Sequence, residues 1–466
     1  MAEPLCRHRL YSLSQSTQLM SVWFEQRLQD CGPALAMQGP WGDCTYADLA
    51  RLQAAVRIDL QALALDGPAV FAIVGEHEPA AVAWLFALAA AGHSVAPLAG
   101  NLAEHPGKLG EIGAQWIITS AGFGWTLLPR MSEPSAHAAF GQLRTQGHAG
   151  LVLFSSGTSG RPKVMVQDLT VLLSTYQDRR RNRLPVLALL GFDHIGGLNT
   201  LLGALATGST LVVPADRSAA VVAAAIAHYQ VAVLPASPTF LNLLLVSGEH
   251  QTHDLSSLRV ITYGTEPMPS GLLSRLRAAF PRVRFIQTFG TSETGIIRTE
   301  SPDADSTFIR FVDPSTEWKV VDDELWLRSL TQVGGYLDTR DGAGKFTSDG
   351  WFRTGDKVEL GPEGTLRILG RLGEVINVGG EKLMPAEVES VILNLPLVLD
   401  CRVRGEANAL VGQAVVAEVV AAPAADHEQL RAAIRNACRR ALAAHKVPTR
   451  VRFVAAVSGE RLKKIR

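Results

Sequence analysis

The sequence predicts an α/β fold. A large N-terminal domain of parallel and mixed sheets with helices carries a small β-barrel-like subdomain, and a small, mobile α+β C-terminal domain follows it. Three observations lead there. A chain of 466 residues is longer than one hydrophobic core keeps growing, so at least two folding units are expected. Hydrophobic residues make up 47% and charged residues 19%, a composition that builds a large core rather than a disordered chain. Short apolar runs bounded by glycine or proline alternate with longer helical patterns, the succession of strand, helix and strand that parallel sheets require.

AVFAIVG, Ala69 to Gly75, reads as a buried strand before a helix from Pro79. The run from Pro79 to Gly92 is the longest apolar stretch. It is shorter than the roughly 18 to 20 residues that span a bilayer, and its alanines suit a buried helix, so no membrane span is expected. STLVVP (Ser209 to Pro214) precedes a helix around Ala219 to His228, and VAVLPAS (Val231 to Ser237) precedes another from Pro238. From Glu317 the pattern shortens: WKVVDD, ELWLRS and GTLRILGR alternate and are separated by turn residues, as in antiparallel hairpins or a small barrel. A helix starting at Pro385, strands around Cys401 to Arg404 and Ala414 to Val420, and a helix from His427 to His445 make a compact α+β unit. The boundary is placed at Gly370 to Gly373, where glycines flank Arg371 and can absorb backbone rotation, giving domains 1–370 and 371–466. Met131 to Gly150 and Glu300 to Ser315 read as surface connections.

Lysine plus arginine equals aspartate plus glutamate at 44 each, so no long-range field favours nucleic acid or an anionic membrane. The N-terminal MAEPLCRHRLYSLSQ lacks the apolar core of a secretory signal. Cys6, Cys31, Cys44, Cys401 and Cys438 are odd in number and lack metal-ligand spacing, which suits reduced thiols without assigned chemistry. A cytoplasmic enzyme is expected. The sequence assigns no oligomeric state.

The chemistry concentrates after Leu151 to Phe154, an apolar strand that runs into Ser155, Ser156, Gly157, Thr158, Ser159, Gly160, Arg161, Pro162 and Lys163. Glycines let backbone amides approach a phosphate, hydroxyls add donors without bulk, and the lysine adds positive charge. Such a turn can also be a mere connection. The Walker spacing is absent, so this is no P-loop NTPase.

The loop resembles the [ST]SGT[ST]GxPKG signature of the adenylate-forming superfamily of acyl-CoA synthetases, nonribosomal adenylation domains and luciferases, with Val164 where that family usually has glycine. Further family-like segments follow in order: TYADL (Thr45 to Leu49), FDHIGGL (Phe192 to Leu198), TYGTEPMP (Thr262 to Pro269), FGTSETG (Phe289 to Gly295), ELWLRSLTQVGGY, FRTGD and GRLGEVINVGGEKLMPAEVE. The resemblance covers nearly the whole chain. It implies ATP-dependent activation of a carboxylic acid as an acyl-adenylate with release of pyrophosphate, then transfer to a thiol. Thr158, Ser159 and Lys163 would handle the departing phosphates, and Glu293 would hold Mg²⁺. Gly264, Thr265 and Glu266 fall in the nucleotide-site turn, with Phe289 near adenine; Gly264 and Gly290 would let the substrate approach the backbone. Ser292 keeps the hydroxyl of the usual threonine, and Phe289 keeps the ring of the usual tyrosine. Asp356 would accept from the ribose hydroxyls, with Arg371 nearby.

His194 would line the acyl site and orient the carboxylate, with aryl or medium acyl chains as the first expectation. Asp193 leaves open a stand-alone amino-acid adenylation enzyme. Gly379 and Gly380 would face a pantetheine tunnel, whether the thiol belongs to coenzyme A or to the phosphopantetheine of an acyl or aryl carrier protein. No carrier domain follows Arg466, so a carrier is expected to be a separate chain. The motif GRLG has Gly373 where the family commonly has a charged residue. SGERLKKIR aligns the catalytic lysine of the family with Lys463, and Lys464 is the alternative. These departures also leave open a nucleotide-binding relative that has lost catalysis.

Overall fold

The computed structural model describes residues 16–132, 135, 137–155, 162–302 and 306–457. The chain divides into two compact units, one of Met1–Arg183, Gly191–Leu211 and Val333–Asp341, the other of Leu184–Leu190, Val212–Gln332 and Gly342–Arg466.

In the first unit the strand Val70–Val74 is buried at every position, as expected of a run with helices on both sides. It lies inside a six-stranded sheet ordered Gly124–Pro129, Trp116–Ala121, Val70–Val74, Ser94–Leu98, Gly150–Ser155, Lys163–Asp168. The inner four strands run parallel, and each edge is closed by an antiparallel hairpin. The expected buried helix is Pro79–Ala90, opened by proline at its first turn, where a missing N–H costs nothing, and buried from Pro79 through Leu88. TYADL is a helix start. Thr45 accepts the Asp48 N–H while the Asp48 carboxylate accepts the Thr45 N–H at 2.8 Å, a reciprocal cap for the helix Tyr46–Ala62. The buried Tyr46 hydroxyl donates to the Ser209 carbonyl at 2.8 Å.

One expected surface connection is more ordered than the sequence suggested. Within residues 131–150 the helix Ala138–Gln146 forms, with Phe140 and Leu143 buried and a left-handed Gly147 ending it. Two buried residues in nine, with only two alanines beside them, are too few to show a helical period.

In the second unit, strands Arg284–Gln287, Val260–Tyr263, Val233–Ala236 and Val186–Leu187 run parallel in that spatial order. Helices Ala219–Tyr229, Pro238–Val246 and Ser270–Ala279 pack on them through Val222, Phe240 and Leu276. The expected hairpins form an antiparallel sheet of Thr316–Val321, Glu324–Ser329, Phe352–Leu360 and Leu366–Arg371, with Leu325, Leu327, Val358 and Leu366 beneath it. The other expected connection contains a short pairing of Thr299–Glu300 with Arg310–Phe311. Residues 376–453 make a five-stranded sheet with its own core, including Val388, Ile392, Val403, Val419 and Ile434. Its long strands, Val398–Asn408 and Gly412–Ala421, outrun the expected ones, and Arg402 and Arg404 both donate to Glu418 across them.

No described helix is long and apolar enough to cross a membrane. Cys31, Cys44, Cys401 and Cys438 are buried free thiols, and burial pushes Cys44 up to about 12 and Cys438 to about 11, which removes both as nucleophiles at neutral pH. Cys6 lies outside the described residues.

His93 makes stability depend on pH. Its Nδ1 accepts the Ala69 N–H at 3.0 Å, and burial holds its pKa down at about 4. The folded state keeps this ring neutral where the unfolded chain takes up a proton. Its stabilising contribution is therefore complete above the unfolded value and declines as pH falls towards 4. Denaturant titration should show about 2 kcal/mol lost to this group between pH 7 and pH 5, and His93→Gln should flatten that slope.

Candidate active site

The FRTGD segment becomes the middle of strand Phe352–Leu360, and Asp356 stands directly opposite Arg371 on Leu366–Arg371. Arg371 Nε reaches Asp356 Oδ1 at 2.9 Å, and Nη1 donates to the Thr354 carbonyl at 2.8 Å. Asp356 is 5% exposed, and its second oxygen, Oδ2, is buried with no hydrogen-bond partner among the described residues. Burial pushes the carboxyl above its ordinary range, the Arg371 guanidinium and the Thr354 hydroxyl pull it down, and the nearby Glu293 charge pushes it up. A carboxylate oxygen left in this state is a strong acceptor for an incoming hydroxyl donor. The turn itself is held from beneath: Gly355 N–H donates to Glu324 Oε1 at 2.9 Å, and Thr354 Oγ1 donates to the Leu325 carbonyl at 2.7 Å.

FGTSETG folds as a hairpin of Phe289–Thr291 and Gly295–Ile297, with Ser292 and Glu293 in its tip. A side chain at Gly290 would lie 2.6 Å from the Gly295 carbonyl, so the hairpin closes only over glycine. Phe289 packs against Phe311 at 5.5 Å. The Thr294 carbonyl anchors the tip, accepting from Ser329 Oγ at 2.9 Å and Thr331 Oγ1 at 2.7 Å. No group of three or more His, Cys, Asp or Glu side chains able to hold a metal occurs among the described residues. A divalent cation would need the Glu293 carboxylate together with phosphate oxygens, a donor set that suits Mg²⁺.

TYGTEPMP begins with the last two residues of the strand Val260–Tyr263 and continues into the turn after it. A side chain at Gly264 would meet Thr288 at 2.7 Å, and Thr265 is exposed with φ 71°, a conformation a β-branched residue adopts only when its surroundings impose it. Glu266 accepts from Thr239 Oγ1 at 2.7 Å. Gly379 and Gly380, with φ 60° and 94°, form the exposed two-residue turn of hairpin Ile376–Val378 and Glu381–Leu383, the conformation this tight connection demands. At Gly373 an added Cβ would meet nothing within 4 Å, so this conformation does not itself require glycine there.

In the first unit, Ser155 and Lys163 are cross-strand partners at the mouth of an antiparallel hairpin whose connection is the Ser/Thr/Gly loop. Lys163 Nζ donates to the Asp341 carbonyl at 3.2 Å and sits 5.1 Å over the Tyr336 ring. Val164, which departs from the resemblance, is a core strand residue 1% exposed, and its carbonyl accepts from Leu337 at 2.8 Å. Asp193 and His194 form the turn before helix Ile195–Ala206, with His194 Nε2 3.9 Å from Asp193 Oδ1 and the histidine side chain one-third exposed. Ser156, Gly157, Thr158, Ser159 and Gly160 lie outside the described residues, as do Lys463 and Lys464.

The second unit thus gathers Asp356, Arg371 and Glu293 into one electrostatic environment, and the first presents Ser155 with Lys163 and, on another turn, Asp193 with His194. The sequence reading missed the supports: Glu324, Thr331, Ser329 and Tyr336. All four sat in the recognised segment ELWLRSLTQVGGY, but nothing local distinguishes an anchoring side chain from a solvated one.

Residues 125–337 match the family model of the AMP-binding enzyme, and residues 387–464 match that of the AMP-binding enzyme C-terminal domain. Together these segments take in well over half of the chain. A 4-coumarate--CoA ligase-like protein of Oryza sativa subsp. japonica is 28% identical over 78% of this chain and 66% of its own length, so the chain spans just under two thirds of that relative. The indoleacetate--CoA ligase of Aromatoleum aromaticum is 26% identical over 86% of this chain and 88% of its own length. The crystal structure of the anthranilate CoA ligase AuaEII with anthranoyl-AMP superposes with a TM-score of 0.81 at 21% identity, covering 96% of this chain and 95% of that one; the two share a fold. With both family models matched in chain order on that fold, the chain belongs to the family of AMP-binding enzymes.

Proposed function

We propose that this protein activates an aryl carboxylic acid with ATP and passes the acyl group to the thiol of coenzyme A. The observation that carries the reading is the half-satisfied Asp356: one oxygen paired to Arg371, the other buried and without a donor among the described residues. A ribose diol supplies hydroxyl donors to such a carboxylate. Aryl acids are favoured because one relative named above is, by name, an indoleacetate--CoA ligase and another is named for its likeness to a 4-coumarate--CoA ligase.

In the first step a carboxylate oxygen of the acid attacks the α-phosphorus of ATP, and the bond to the bridging oxygen breaks with pyrophosphate as leaving group. Negative charge moves onto the departing phosphates. The chain's contribution is position and fixed charge. Asp356 and Arg371 hold the ribose, Phe289 and the Gly264–Glu266 turn border the base, Lys163 and the Ser155–Gly160 loop meet the phosphates, and His194 orients the acid. Glu293 would hold Mg²⁺, whose charge offsets that of the triphosphate. Lys463 is assigned as the catalytic lysine that stabilises the transition state. In the second step the thiol sulfur attacks the acyl carbon, its proton passes to solvent, and AMP leaves. Residues 371–466 are taken as the domain that moves between steps, bringing the Gly379–Gly380 turn to the pantetheine arm.

ATP–pyrophosphate exchange with aryl, fatty and amino acids should be stimulated most by aryl acids; no stimulation by any acid would sink the reading. Asp356→Ala should raise KM for ATP about 10- to 100-fold, the effect of losing hydrogen bonds to a charged group, while KM for the acid holds steady. Lys463→Ala should slow adenylation by roughly two to three orders of magnitude, and a normal rate would move that role to Lys464. Product analysis with coenzyme A and with a phosphopantetheinylated carrier protein should yield thioester on coenzyme A.

A further inference from the structure

Asp193 and His194 stand between two neighbours that a single distant side chain holds. His77 follows the strand Val70–Val74 and is 1% exposed. Its ring meets that of the fully buried Phe192 edge-on, with centroids 5.4 Å apart. Its Nε2 lies 3.3 Å from the carbonyl oxygen of Gly197. A carbonyl can only accept, so Nε2 carries the proton and His77 donates. One contact thus falls just before the Asp193–His194 pair and the other three residues after it.

The turn needs such an anchor. Helix Ile195–Ala206 begins Ile195, Gly196, Gly197, and His194 makes no side-chain cap bond to it. Two glycines in a first turn without a side-chain cap leave its local preference weak. A buried donor on Gly197, with an aromatic edge against Phe192, holds the backbone that carries His194.

We propose that His77 is a positioning residue for the acid: by donating to Gly197 and packing on Phe192 it fixes the turn that presents His194 to the substrate carboxylate. This rests on the acid-activating function proposed above. His77 touches no reacting atom. It acts through the backbone of another segment, and its loss therefore weakens binding of the acid while the nucleotide is unaffected.

His77→Phe keeps an aromatic ring and removes the donor, whereas His77→Gln keeps an N–H donor at similar reach. In ATP–pyrophosphate exchange, His77→Phe should raise KM for the acid about tenfold with KM for ATP unchanged, and His77→Gln should return it to within about threefold of wild type. Amide hydrogen exchange over residues 192–201 reads the clamp without activity: faster exchange in His77→Phe, recovered in His77→Gln, is the expected result. Should His77→Phe fail to fold, Phe192→Leu weakens the other contact and should raise KM for the acid alone. Unchanged amide exchange overturns the proposal, as does an equal rise in both KM values. A wild-type protein inert with every acid overturns the catalytic reading and this role in it, while amide exchange at 192–201 still reports separately whether the clamp exists.

Discussion

A carboxylate taken out of water stays charged only if something inside the fold compensates it, and at Asp356 the compensation is a cross-strand arginine. The register of Phe352–Leu360 against Leu366–Arg371 sets Arg371 opposite Asp356, so the ion pair is a product of sheet pairing. Glu324 and Thr354 then hold the turn at the height this pairing requires. Breaking such a pair by removing one partner leaves a buried charge without compensation, which costs more than the pair itself contributes. The antiparallel sheet is therefore bound to its register by the same residues that are assigned to the nucleotide. A one-residue slip would send Asp356 to the other face and separate it from Arg371.

What the sequence revealed of the fold follows from how local each signal is. Val70–Val74 and Pro79–Ala90 were legible because continuous burial writes itself as a continuous apolar run. The helix Ala138–Gln146 was not, since Phe140 and Leu143 alone bear its buried face. Ser209 to Pro214 shortened to a strand at Leu211–Val212, because an apolar run does not report how many of its residues find a hydrogen-bonding neighbour. The two edge hairpins of the six-stranded sheet also escaped the reading, which named the strand at Leu151 to Phe154 but not Lys163–Asp168, Trp116–Ala121 or Gly124–Pro129.

The candidate site divides along the same line. Motif residues such as Asp356, Glu293 and Lys163 were legible because their chemistry sits in short contiguous segments. Their supports lie far off in sequence: Glu324 is 31 positions from the amide it holds and Thr331 is 37 from the carbonyl it meets. His77 reaches across 120 positions to Gly197. Pairings of that kind are decided by packing, which no local pattern records. Val164, a departure from the family's glycine, has a simple structural meaning, since it fills the strand core beside Phe154 and Val166.

Lys163 keeps company with a backbone carbonyl and an aromatic face. Both are neutral. An ammonium held in this way is oriented and partly shielded from water without its charge being cancelled, because ring quadrupoles and peptide dipoles attract a cation but carry no net charge. Among the described residues no carboxylate pairs with this lysine, so a polyanion arriving there, as proposed, would break no salt bridge on entry. The contacts act as a holster: the charge is kept at the mouth of the hairpin, and its release towards a phosphate, as proposed, would cost one hydrogen bond and one ring contact instead of an ion pair.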